Sequence, residues 1–227
     1  HDWVTETAER YFTDLHSAKI NTPNAATHGL PEKCLIVEER EIEQTNIALA
    51  LQALPRHDPD RYSLELLNTV LGRGMSSRLF KEVRERRGLA YSVSSGIVRH
   101  QDIGSFSVAA GVTKENQEEA LEVIISELRR VAEEPIPEEE IQRAKDFAVG
   151  TFRLALETPM ALGQRFGEQL LQDGELELPG DTVTRLREIE ASELHAVAQR
   201  LFASNSFALA VVGPSAPTDR LESILAA

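Results

Sequence analysis

Residues 67–95 read LNTVLGRGMSSRLFKEVRERRGLAYSVSS. A helix end, a second helix and the start of a strand can be read in this one stretch. Leu64, Leu67 and Leu71 line one side of a helix that Gly72 ends. Ser76 or Ser77 is placed to cap the next helix, and Leu79, Phe80 and Val83 supply its apolar side. Gly88 stands where a left-handed residue closes a helix. The period then changes from helical to alternating. Leu89, Tyr91 and Val93 are expected to share one face of a strand.

Two strands are read before this stretch, in KCLIVEE (33–39) and IEQTNIALALQAL (42–54). In the second, Ile47, Leu49 and Leu51 alternate with Ala48, Ala50 and Gln52, giving a bulky face and a small one. Pro59 suits the start of the helix that reaches Gly72. After the stretch, SFSVAAGV (105–112) follows the short polar connection RHQDIG, which implies an antiparallel pair. Phe106, Val108 and Ala110 share a face there.

Residues 113–134 form a strongly amphipathic pattern. Thr113 is the expected cap, and Leu121, Ile124, Ile125, Leu128 and Val131 make the stripe. Residues 135–157 begin a further helix, with Pro137 in the first turn and Glu138, Glu139 and Glu140 facing the positive end of its dipole. Pro159 interrupts it. More helices are read at 160–172 and 191–203, a last strand at 206–213 and a terminal helix at 217–227. Hairpins with clustered helices define an α+β class, a mainly antiparallel sheet with helices packed on one face. No internal repeat is visible.

At the other end, Trp3, Val4, Ala8, Tyr11, Phe12 and Leu15 recur at helical spacing. Residues 16–32 are polar, contain Pro23 and Pro31, and read as a linker. The expected division is therefore residues 1–32, a helix foreign to the main domain plus its linker, and residues 33–227, the main domain.

The 227-residue chain carries a net charge of −13. That argues against a nucleic-acid module, which needs a basic footprint. Cys34 is the only cysteine, so disulfides and cysteine-based zinc sites are excluded. No run of about 18 apolar residues exists to span a membrane. No signal peptide is visible, and a soluble protein of the cytoplasm or periplasm is expected. The six histidines are scattered, with none four residues from another, so neither H-E-x-x-H nor its inverse occurs. His195 has no second ligand at helical spacing. There is no G-x-S-x-G elbow, and LGRGMSSR lacks the ending of a phosphate loop.

The remaining candidate is the corner at residues 78–93. Five basic residues and two glutamates lie between Arg78 and Arg87. One reading is a solvated helix face with cations near its negative end, a stabilising arrangement. Arg84 and Tyr91 invite a second reading. They stand seven residues apart, one in the last helical turn and one at the start of the strand. A guanidinium and a phenol both donate to carbonyl oxygen, and together they suit an extended peptide or a developing oxyanion. The competing reading of Tyr91 is a buried core tyrosine.

The stretch 67–95, with IGSFSVAAGV, PEEEIQRAKDFAVGTFRLALET and FALAVVGP, resembles the pitrilysin-type zinc metallopeptidases, in their bacterial processing-peptidase-like branch. The group includes the mitochondrial processing peptidase and insulin-degrading enzyme. The likeness covers Lys33 to Pro214. It implies paired homologous domains. The first carries H-x-x-E-H and binds zinc; the second lacks the motif and faces it across a substrate chamber. This chain resembles the second, and its first helix the end of the domain before. By the same likeness, Arg84 and Tyr91 match an arginine and a tyrosine that contact bound peptide near the scissile bond. Asn46 stands where relatives often show a histidine, and no role is drawn from it.

The expected function is thus the substrate-chamber domain of a zinc metalloendopeptidase acting on extended peptides. No cofactor is expected in this chain, and zinc is expected in the complete enzyme. The expected partners are peptide substrate and a homologous zinc-bearing domain or subunit, as a dimer. The alternative is a non-catalytic scaffolding relative in a larger complex.

Overall fold

The computed structural model describes residues 1–15, 24–26, 29, 34–203, 207–214 and 217–226. Its sheet has five strands: β1 (Leu35–Glu38), β2 (Thr45–Ala53), β3 (Ala90–Arg99), β4 (Gly104–Val112) and β5 (Ala208–Val212). Their order is β1-β5-β2-β4-β3, with only β1 and β5 parallel. The α+β reading therefore holds, and β3, which carries Tyr91, is an edge strand.

The small-and-bulky alternation of β2 decides which face is covered. Ile47, Leu49 and Leu51 are buried, while Asn46 and Ala48 are exposed. The covering layer is helical. It includes α2 (Arg61–Gly72), α3 (Gln117–Glu133), α4 (Glu138–Ala155) and α7 (Ala191–Phe202). The whole stripe read in α3 is buried, and so are Leu64, Leu67 and Leu71 of α2. Where β4 meets α7, the rings of Phe106 and Phe202 pack edge to face at 5.3 Å. Pro137 precedes α4 and three glutamates fill its first turn, as the dipole favours. Beyond it, Thr158 caps α5 (Pro159–Gln172) by accepting from the Ala161 amide at 3.2 Å. The chain ends in α8 (Thr218–Ala226). Among the described residues no helix is long and apolar enough to cross a membrane.

The last turn of α2 is pressed against β3. The Ser95 hydroxyl donates to Asn68 Oδ1 at 2.6 Å. A Cβ on Gly72 would stand 2.4 Å from the Ser95 backbone nitrogen. Glycine is the residue this approach admits. Gly72→Ala is expected to cost about 1–3 kcal/mol, the usual range for overpacking. Urea unfolding of the variant beside the parent checks this.

Several local expectations are corrected. Thr113 does not cap α3. Residues 113–116 form a turn, with the Asn116 amide bonded to the Thr113 carbonyl at 3.2 Å, and Asn116 takes the cap position. A helix not expected from the sequence, α6 (Pro179–Glu188), lies between α5 and α7. Ser77 stands just before the helix that starts at Arg78, its carbonyl accepting from the Lys81 amide at 3.0 Å, but its hydroxyl donates back to the Gly74 carbonyl at 2.7 Å instead of capping the first amides.

The N-terminal helix, α1 (Asp2–Phe12), buries no residue. Trp3, Val4, Tyr11 and Phe12 are all exposed. Most of the expected linker lies outside the described residues. Of those described, Ala26 donates to Asp102 at 2.6 Å and Gly29 to Gln52 Oε1 at 2.9 Å.

Candidate substrate-binding corner

Residues Phe80–Arg86 form a π-helix, wider than the α-helix their periodicity suggests. Such turns are uncommon and recur at functional sites. Val83 is buried and anchors the segment, while Arg84 projects outward. Gly88 adopts φ +64°, the left-handed conformation expected of it. The Leu89 amide then closes the end on the Val83 carbonyl at 2.8 Å.

The strand that follows departs from simple alternation. Ala90 pairs with Val112 and Ser92 with Gly111, so Tyr91 is an extra residue in a β-bulge. The consequence corrects the expectation that Tyr91 shares a face with Leu89 and Val93. Those two are buried, whereas Tyr91 is 75% exposed. The bulge re-aims one side chain, and the core-tyrosine reading fails with it. The phenol is in solvent, on an edge strand, directly after the turn.

Pairing within the basic cluster also separates its members. Arg78 grips Glu140 with Nε and Nη2 at 2.8 and 2.9 Å and is a half-buried structural bridge. Arg86 pairs with Glu82 four residues before it, and Arg87 reaches Glu119 at 3.3 Å. Among the described residues Arg84 has no carboxylate partner. Its guanidinium lies over the Phe80 ring at 5.0 Å, which fixes its direction while leaving its donors free. Two donors, Arg84 and Tyr91, are thus exposed at either end of one tight reversal.

A separate concavity of about 790 Å³ lies among α2, α4, α5 and α6. Arg84 and Tyr91 are not among its walls. Tyr62, on α2, donates to the Glu177 carboxylate there; burial first, and then that bond, push its phenol above the ordinary range. Sequence reasoning missed this cavity, because it depends on how four helices pack. Pro179 and Asp181, a proline and an acid at a helix start, were the available signal for its unexpected wall. Among the described residues no group of three or more histidines, cysteines and carboxylates is placed to hold a metal ion.

Residues 1–147 match the family description "Peptidase M16 inactive domain". The chain belongs to this family. An "uncharacterized zinc protease" of Streptomyces coelicolor is 39% identical over 77% of this chain and 38% of its own length. A relative of the same description from Bacillus subtilis is 30% identical over 79% of the chain and 44% of its own length. The chain thus spans less than half the length of these relatives. Among solved structures, a peptidase M16 inactive domain from Pseudomonas fluorescens superposes with TM-score 0.74 at 26% identity. That match covers 88% of this chain and 47% of the other. A protease from Helicobacter pylori gives TM-score 0.78 at 21% identity, covering 94% and 52%, a likeness of fold.

Proposed function

We propose that this domain forms one wall of the substrate chamber of a zinc metalloendopeptidase that cuts extended peptides. Arg84 and Tyr91 are the residues that hold the peptide. The observation that carries the reading is the bulge at Tyr91, which turns a large aromatic donor into solvent one tight reversal along the chain from an arginine with no carboxylate partner among the described residues. A purely structural corner would bury the ring and pair the charge. The zinc belongs to a homologous domain of the same protein or to a partner subunit, and the working unit is a dimer of such halves. Deleting or blocking the corner tests the reading in the assembled enzyme, where peptide turnover is the readout.

Residues 1–32 are assigned to the end of the preceding homologous domain and its linker. The exposed apolar side of α1 supports this assignment, because an integral helix buries that side. Removing residues 1–32 is expected to leave a cooperatively folding remainder. The bonds from Ala26 and Gly29 are at exposed positions, so their loss is worth about 0.5–1.5 kcal/mol each at most. A circular-dichroism melt of the shortened chain checks it; loss of a cooperative transition would move the boundary.

The isolated chain is further expected to hold no stoichiometric zinc and to cleave no peptide. Metal analysis after dialysis, beside a peptide-cleavage assay with added zinc, is the check. About one tightly held zinc per molecule would overturn it.

A further inference from the structure

We propose that Phe80 is a positioning residue for the peptide-holding corner: its ring carries the Arg84 guanidinium and leaves the N–H edge free for the bound chain. The proposal deepens the proposed function and rests on it.

The local sequence withholds acceptors from Arg84. On a helix a side chain meets those three and four positions away. For Arg84 these are Phe80, Lys81, Arg87 and Gly88. The π-helical winding adds the fifth positions, Leu79 and Leu89, and both are buried. None of these side chains can accept a hydrogen bond, and two of them are cations. The other arginines of the corner show the alternative. Arg86 has Glu82 four residues before it and pairs with it. Arg78 and Arg87 reach Glu140 on α4 and Glu119 on α3.

A long helical side chain leans back over the preceding turn, and there Arg84 meets Phe80. The guanidinium carbon stands 5.0 Å from the ring centroid. This contact holds a guanidinium differently from an ion pair. A carboxylate occupies N–H donors and cancels the charge. A ring attracts the charge through its face and uses none of the in-plane donors. The ring is itself held. Leu79 and Val83, either side of it, are fully buried, and the Arg78–Glu140 fork ties down the chain two residues earlier. Phe80 is half-buried. Arg84 therefore has fewer rotamers to lose when a peptide carbonyl arrives, which is where binding free energy is otherwise spent.

The test has two arms. Phe80→Leu and Phe80→Met remove the ring and keep an apolar helix-forming side chain, while Phe80→Tyr keeps the ring. In the assembled zinc-bearing enzyme, both ring-less variants are expected to lower kcat/KM by about 3- to 10-fold, the effect of leaving one long side chain unordered. Phe80→Tyr should stay near the parent. In an Arg84→Ala background, Phe80→Leu should cost nothing further, because Phe80 acts through Arg84. The second arm uses the purified chain alone and follows the Arg84 Nε–H signal by NMR, assigned by its loss in Arg84→Ala. Removing the ring should move that signal, and Phe80→Tyr should hold it. Parent-like turnover in the ring-less variants, with Arg84→Ala impaired, would overturn the positioning role alone. So would an equal loss with and without Arg84, a loss in Phe80→Tyr as large as in Phe80→Leu, or an unmoved Nε–H signal. Wild-type turnover in Arg84→Ala would instead sink the proposed function, so the two failures are told apart by which variant keeps its activity.

Discussion

In the assembled zinc-bearing enzyme, Arg84→Ala and Tyr91→Phe are each expected to lower kcat by about 10²–10³, with melting temperature nearly unchanged. The magnitude is that of removing one donor from a developing oxyanion, about 2.7–4 kcal/mol. Stability is spared because both side chains are exposed and neither closes an ion pair. Arg84→Ala gives up two structural contacts, its place near a helix C-terminus, worth about 0.3–1 kcal/mol, and its stacking over the Phe80 ring, worth about 0.5–1 kcal/mol at an exposed site. If the two residues hold the ground-state peptide instead, the loss moves into KM. Either pattern assigns them to substrate. Wild-type kinetics with a lowered melting temperature would reduce the corner to a helix end followed by an ordinary strand.

Phe106→Ala is expected to show the opposite pattern, losing about 3–5 kcal/mol of stability. Phe106 is fully buried on β4 and meets Phe202 of α7 edge to face, so its loss opens a cavity between sheet and helix layer. A domain stable by about 5–15 kcal/mol loses a large share of that. Chemical denaturation measures it directly. Whatever fraction remains folded should keep the proposed peptide-holding corner intact, since Phe106 is buried and Arg84 and Tyr91 are exposed. The two variants together separate what holds the fold from what touches substrate.

The elements themselves were largely readable. The alternation in β2 named the buried face, and the stripe from Leu121 to Val131 named the core side of α3. Gly88 was legible because only a left-handed residue reverses the chain so tightly. The details of the corner were not. In sequence, Leu89, Tyr91 and Val93 alternate as a regular strand would. Only the pairing of β3 with β4 reveals the extra residue at Tyr91. The π-helical winding of Phe80–Arg86 likewise has no signature in residue type, since it depends on the anchoring of Val83 and Leu89 in the core. Arg84 and Tyr91 could be nominated from spacing and resemblance. Their exposure, on which the proposed role rests, could not.

Photocrosslinking in the assembled enzyme tests the central claim most directly. A substrate peptide carrying a benzophenone side chain next to the scissile bond would be bound, irradiated and mapped by mass spectrometry. The expected crosslinks fall on residues 80–92 of this domain, from the π-helix through the bulge, and are lost on competition with unlabelled substrate. Competable crosslinks confined to other parts of the protein, with none in residues 80–92, would contradict the assignment of this corner to the peptide.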